Sequence, residues 1–537
     1  MTAIKRIFQV NGKPFFPIGG QSCNSSGYNE NESEQAFKIV KMLHGNTLEI
    51  PVYWNIVEPV EGKFDFTAVD ALIASARRHE MKLILLWFAS WKNGNMDYVP
   101  AWVKTNPGRF KRVLAQSGKD VWDLSSHCKA NMEADKKAYV ALCKHLKAKD
   151  STNQTVIALQ IENEQGILGS DRDYGPEAQA EFDGPVPAKL VAAMKKAGKG
   201  CIYDIWQKSG AKKSGAWPEM FGWEAGELMT AWSICNYVDS IAEAAKAVYQ
   251  IPMYLNVWCM EQHGWVRAGE SYPSGGGVSK VLDIYKWYTP HLDLVAPDNY
   301  QLDAGGFAEV CAAYAREDNP FFMPETIGDP NMFTAIAKYN CIGNFFFGVE
   351  YVLMDDGTIR SDREVLCDCI KCTAAVSPLL LKYQGTGKIH DFVQHDNLAM
   401  REEELDGFSI LAEYGEKRAG WSGKDWRHRS GSYMPVASKS KPGFGMVIQA
   451  EKNEFYIVGA NCRFYLRPTP TIEMLQTPVS LGEGVTQNFA NIVSVDEGHF
   501  DKNDKFVIDR HRNGDEIGHR GFWVEPDINV LRIITCD

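Results

Sequence analysis

The sequence predicts a (β/α)8 barrel followed by a smaller, sandwich-like all-β domain. Three observations point there. Eight apolar runs of strand length alternate with helical patterns over the first two thirds of the chain. Most of those runs are apolar on both faces, as in a parallel sheet covered all round, and eight such units close economically into a barrel. After about Leu381 the long helical patterns give way to short strand patterns punctuated by turn residues.

The strand candidates, in order, are Phe15–Cys23, Asn46–Trp54, Lys82–Ser90, Val156–Glu164, Pro252–Met260, Leu292–Tyr300, Pro320–Glu325 and Cys341–Val349. Between the first two, Ala36, Ile39, Val40 and Leu43 recur near a period of 3.6. Before the third, Val69, Leu72, Ile73 and Ala76 form the stripe of an amphipathic helix. Further helices are expected over Ala130–Lys147, Ser279–Trp287, Phe307–Arg316, Asn331–Tyr339 and Asp362–Leu381. The long stretch after the fourth strand, about 169–250, reads as an insertion over the top face. The barrel is expected over 1–383 and the β-rich domain over 384–537.

Composition narrows the function. The 537 residues are 45% hydrophobic and 23% charged, with a net charge of −11, which disfavours a nucleic-acid partner. No apolar run approaches the roughly 18 residues of a membrane span. The first 20 residues lack the apolar stretch of a secretory signal, so the chain is expected to be cytoplasmic as written, or periplasmic or secreted if a signal has been removed. Thirteen scattered cysteines suit reduced thiols. The cluster Cys367, Cys369 and Cys372 lies in a helical pattern and is expected to pack as core. No metal, nucleotide or nucleophilic-serine motif is found. No metal or organic cofactor is expected, and a homo-oligomer is possible.

Barrel enzymes place their chemistry at the C-terminal ends of the strands. Those ends carry Asn24, Trp54 and Glu58, Trp87 and Trp91, Glu162 and Glu164, Trp258 and Glu261, Asp298 and Tyr300, Glu325 and Glu350. Carboxylates on strands four and seven face each other across such a barrel. That is the arrangement glycoside hydrolysis needs, one acid protonating the leaving oxygen while the other attacks or activates water. Trp54, Trp87, Trp91 and Trp258 are candidate platforms for sugar rings. Strand alternation puts Glu162 on the same face as Glu164, one pleat deeper, where it is expected to support the Glu164 proton.

"LQIENEQG" resembles the acid/base motif of glycoside hydrolase family 35, the β-galactosidases. "VYWNIVEPVEGKFDF" resembles that family's second-strand signature, and "YVPAWV" its Pro-Ala-Trp segment. The likeness covers roughly 10–380. It implies a retaining barrel hydrolase with Glu164 as acid/base, Asn163 on the sugar 2-hydroxyl and Glu325 as nucleophile, and Tyr300 is expected to orient Glu325. The sequence departs from the family at Gln165, at Val57 and in "GGQSCNSS" and "WFASWKNG". The expected activity is release of terminal β-linked galactose from oligosaccharides or other glycosides. A β-glucosidase, a transglycosylase and a non-catalytic carbohydrate-binding barrel are the alternatives.

Overall fold

The computed structural model describes residues 7–262, 266–396, 398–415, 441–469, 490–513, 516–517, 521–526 and 529–536. Parts of the expected β-rich domain, chiefly 416–440 and 470–489, lie outside the described residues.

Eight parallel strands close a barrel. They are β1 (Ile18–Gln21), β2 (Thr47–Tyr53), β3 (Lys82–Lys92), β4 (Val156–Asn163), β5 (Met253–Trp258), β6 (Leu294–Asn299), β7 (Met323–Thr326) and β8 (Asn344–Phe347), each beside the next, with β8 paired to β1. Each falls on one of the eight apolar runs. Close approach explains the glycines of β1: a Cβ on Gly19 would lie 1.8 Å from the Thr47 carbonyl oxygen.

Strand parity then sorts the side chains. On β3, Ile84, Leu86 and Phe88 belong to the cluster inside the barrel with Ala158, Tyr254, Ala296 and Phe345. Leu83, Leu85, Trp87, Ala89 and Trp91 pack outward on the helices. On β2, Leu48, Ile50 and Val52 likewise face out, as does Trp54 just beyond its end.

The helices follow the expected pattern, among them Glu30–Met42, Thr67–Arg78, Lys129–Asp150, Leu282–Tyr288, Ala304–Tyr314 and Asn331–Tyr339. The stretch read as one insertion divides in two. Helices Pro176–Asp183, Ala188–Ala197, Cys201–Lys208 and Trp217–Phe221 are additional to the barrel. Ala225–Lys246 is instead the crossover helix into β5, lying beside Lys129–Asp150. The added helices cover it, so 16 of its 22 residues are buried, and its first half, 225–235, is buried all round. Cys367, Cys369 and Cys372 are buried and free in helix Glu364–Ala375, packed in the core as expected.

Beyond helix Ser377–Tyr383 the elements among the described residues are all strands. The strands are β9 (Ile389–Val393), β10 (Met400–Leu405), β11 (Phe408–Tyr414), β12 (Phe444–Glu451), β13 (Glu454–Ala460), β14 (Cys462–Pro468), β15 (Ile492–Phe500), β16 (Phe506–His511), β17 (Phe522–Val524) and β18 (Val530–Thr535). They form two antiparallel sheets, ordered β9-β12-β13-β18-β15-β16 and β10-β11-β14-β17. An apolar cluster including Phe392, Phe408, Phe455, Phe464 and Leu531 fills the space between them. The domain meets the barrel through helix Asn331–Tyr339: Phe333 stacks on Phe444, and Thr334 donates to Asp391 at 2.7 Å. Among the described residues no helix is long and apolar enough to cross a membrane.

Candidate active site

The site is built where β4 departs from strand geometry. Glu162 and Glu164 both have left-handed backbones, with φ of 59° and 46°, costing on the order of 1–3 kcal/mol each. Gly166 follows at φ 134°, and a Cβ there would press on Pro273 at 2.7 Å. Opposite, β3 bulges: Trp87 pairs with Ile161, yet Lys92 pairs with Asn163. The combined distortion turns Asn163 and Glu164 inward together with Lys92.

Three buried carboxyls converge there. Oxygens of Glu164, of Asp298 on β6 and of Glu325 on β7 lie within 4.8 Å of one another. Glu325 accepts from the Tyr300 hydroxyl at 2.5 Å and from Gln21 Nε2 at 3.1 Å. Glu164 accepts from Asn93 Nδ2. Lys92 Nζ donates to Asn163 Oδ1 at 2.8 Å, and also to Asn93 Oδ1. Asn256 on β5 accepts the Glu164 backbone N–H at 3.1 Å through Oδ1 and donates from Nδ2 to Asp298 Oδ2 at 2.7 Å.

Burial with like charges at this spacing disfavours full ionisation. Burial, and then the neighbouring Glu325, push Glu164 up to about 7. Burial also raises Glu325, while the Lys92 charge and the Tyr300 hydroxyl oppose that rise. Asp298 is raised well above the ordinary range, by burial first and then by Glu325 and Glu164.

The structure moves several expected site residues elsewhere. Glu162 does not share a face with Glu164, because its left-handed backbone turns it out of the strand's alternation. Its carboxylate accepts the Trp91 backbone N–H at 2.8 Å. Burial, then Asp135, raises its pKa, so it belongs to a polar cluster behind the strand. Trp54, Trp87 and Trp91 are at most 1% exposed and cannot be sugar platforms. Their outward parity puts them between sheet and helices. Trp54 Nε1 donates to Glu58 at 3.0 Å and Trp87 Nε1 to Asp135 at 2.9 Å, while Trp91 packs edge-on against Tyr237. Trp258 alone of the four has inward parity, in line with Tyr254 and Asn256, and is half-buried. Asn24 is half-buried, and its carbonyl takes the Tyr53 hydroxyl at 2.6 Å. Glu58 also accepts the Gly62 N–H, and Glu350 accepts the Cys23 N–H, so both tie loops.

A test follows for the tryptophans. Trp87→Ala is expected to cost about 3–5 kcal/mol of stability. Trp87→Phe should leave KM unchanged. A raised KM with unchanged stability in Trp87→Phe would return Trp87 to the substrate.

Lys92, Asn93, Gln21, Asn256 and Asp298 are the site residues that sequence reasoning did not assign. Their signal was a polar residue at or just past the end of an apolar run or, for Asn256, in the middle of one, readable only once strand parity is known.

A beta-galactosidase family model, that of glycoside hydrolase family 42, matches residues 24–209. A second model, described as a domain of unknown function, matches 371–523. A beta-galactosidase of Xanthomonas manihotis is 31% identical over 149 residues, covering 26% of this chain and 22% of the relative. The chain thus matches about a fifth of that relative's length. Among solved structures, a beta-galactosidase from Bacillus circulans sp. alkalophilus matches with 15% identity and a TM-score of 0.46, covering 67% of this chain and 56% of that one. The catalytic domain of a beta-amylase from Paenibacillus polymyxa matches with 12% identity and a TM-score of 0.48, covering 66% and 97%. The expected likeness to family 35 is met at the coarser level of a β-galactosidase family, and the matching model is that of family 42. Its range holds Lys92, Asn93, Asn163 and Glu164 and stops short of Asp298 and Glu325.

Proposed function

We propose that the chain is a retaining, exo-acting β-galactosidase. The observation that carries this reading is the pair of buried carboxyls, Glu164 from the end of β4 and Glu325 from β7, with oxygens within 4.8 Å. Retaining hydrolases hold their carboxyls about 5–5.5 Å apart, and inverting ones roughly 6.5–9.5 Å apart to admit a water. The sugar assignment rests on the family model over 24–209 and on the Xanthomonas manihotis relative.

In this mechanism the Glu325 carboxylate attacks the anomeric carbon. The bond to the leaving oxygen breaks, and Glu164 gives that oxygen its proton. Glu164, now a carboxylate, then takes a proton from water. The water oxygen attacks the same carbon, and the electrons of the ester bond return to Glu325. The charges suit these roles. Lys92, Tyr300 and Gln21 favour an ionised Glu325, whereas Glu164 near 7 keeps a proton to give. Asn163, held by Lys92, faces the sugar 2-hydroxyl, and Trp258 is the remaining candidate platform.

Since the protonated form of Glu164 is the active one, kcat/KM should fall as pH rises through about 7. Its acid limb should lie above the ordinary glutamate range, because Glu325 is raised. A profile flat from pH 5 to 9 would remove the acid role.

Tyr300→Phe should slow turnover roughly 10–100-fold, the equivalent of about 1.5–3 kcal/mol for a hydrogen bond to a charged group. The melting temperature should stay near that of the parent. Unchanged kinetics would remove Tyr300 from the mechanism.

Aryl β-glycosides test the reading as a whole. Hydrolysis of the β-galactoside, with the β-anomer seen first by proton NMR, is expected. First release of the α-anomer, or preference for the β-glucoside, would overturn the stereochemistry or the sugar respectively. No turnover of any glycoside would favour a binding barrel.

A further inference from the structure

The two hydrogen bonds of Asn256 give Asp298 a definite part. We propose that Asp298 is a neutral, proton-bearing positioning residue: it donates to the Glu164 carboxyl and tunes the acid/base without ever ionising in the cycle. The proposal rests on the reading of Glu164 as acid/base.

The argument starts from donors and acceptors. The Glu164 backbone N–H can only donate, so the Asn256 atom that receives it is the amide oxygen. The Asn256 atom facing Asp298 is therefore the NH2 group, and Asp298 Oδ2, 2.7 Å away, is an acceptor. A proton on Asp298 then sits on the other oxygen, Oδ1, and carboxyl oxygens of Asp298 and Glu164 lie within 4.8 Å of each other, which puts Glu164 within that proton's reach. With that donation a loop closes from the backbone of Glu164 through Asn256 and Asp298 back to the side chain of Glu164, and it fixes both carboxyls relative to β4.

The surroundings say which carboxyl keeps a proton. Asp298 is 1% exposed. It faces Glu164 from β4, Glu325 from β7, Lys92 from β3, Tyr300 from the end of its own strand and Tyr254 from β5, which in turn donates to Glu49 on β2 at 2.9 Å. Lys92 is the only cation in that set. It can balance one carboxylate, and Glu325 must be that one for attack to occur. Once Glu325 becomes an ester, Glu164 takes over the negative charge, so the site carries one carboxylate per Lys92 throughout. An Asp298 that ionised would add a second, unbalanced buried charge. A neutral donor also stabilises the ionised form of Glu164, offsetting the burial that would otherwise hold its proton too tightly to give up.

Asp298→Asn and Asp298→Leu test this through the basic limb of kcat/KM. An amide can accept from Asn256 and donate to Glu164 as the neutral acid does. Asp298→Asn should therefore keep the limb within a few tenths of a pH unit and retain most of the rate. Asp298→Leu has no donor and should move the limb up by about one unit. If Asp298 is ionised instead, Asp298→Asn removes a neighbouring charge and moves the limb down, which would overturn the proposal. A purely structural role would lower rates at all pH values in both variants without moving the limb, and would also overturn it.

A measurement on the unaltered protein covers the case in which a variant does not fold. With carboxyl-labelled aspartate, one NMR signal should stay in the protonated range above pH 7 and should shift when Glu325 is esterified by an activated 2-fluoro β-galactoside. If every signal that responds is an ionised carboxylate, the proposal fails. The pH series alone needs no turnover, so a protonated aspartate in a protein that hydrolyses nothing would sink the enzyme reading rather than this one. Loss of activity in a chelator, restored by calcium or magnesium, would make the three carboxyls a cation site and would likewise contradict a neutral Asp298.

Discussion

Replacing Glu325 by alanine should abolish hydrolysis of every β-galactoside, on the order of 10⁴–10⁶-fold in kcat, the scale seen when a covalent nucleophile is removed. Leaving-group quality should not relieve the defect, because no other group is placed to attack the anomeric carbon. The fold should survive: Glu325 is at a strand end, and the loss of a raised, buried carboxyl leaves only Tyr300 and Gln21 without an acceptor. Added azide should enter the vacated space and give the α-galactosyl azide, since it attacks from the face Glu325 occupied. A β-azide from this variant would place the nucleophile elsewhere. Turnover within tenfold of the parent would remove Glu325 from the chemistry.

Glu164→Ala should behave in a different way. An activated phenolate leaves without a proton, so the first step should be nearly normal for dinitrophenyl β-galactoside. The second step should be slow, since water has lost its base. Azide, which needs no base, should restore turnover and yield the β-galactosyl azide. A disaccharide, whose alkoxide must be protonated, should lose about 10²–10⁴-fold. Glu162→Ala should show no rescue, because that carboxyl lies behind the strand against Trp91 and Asp135. Rescue in Glu162→Ala and not in Glu164→Ala would exchange the two assignments.

Much of this architecture was legible in the sequence. The eight apolar runs mark the eight strands, and the change of texture after Leu381 marks the all-β region. Glu164, Glu325 and Tyr300 come together as their strand ends imply. The indoles did not follow. A parallel strand buried on both faces shows no alternation, so nothing in "KLILLWFASWK" says that Ile84 faces in and Trp87 out. That needs the register with β4. Glu162 illustrates a second limit. Alternation predicts its side correctly only while the backbone stays extended, and two left-handed residues end the rule within the motif itself. Asp298 was visible as a strand-end acid, but its meaning depends on Asn256, 42 residues away in the chain, and on the single positive charge of Lys92. The crossover helix Ala225–Lys246 was hidden for a related reason: its first half, 225–235, is buried on every side and carries no stripe to read.

The central claim is that Glu325 forms a covalent glycosyl ester while Glu164 stands opposite as acid/base. Incubation with an activated 2-fluoro β-galactoside, followed by proteolysis and mass spectrometry, tests it most directly. The account predicts one fluorosugar per chain, carried by the peptide that contains Glu325, with activity returning as the ester turns over. A label on Glu164, on Asp298 or on any other residue, or hydrolysis of galactosides with no label at all, would contradict it.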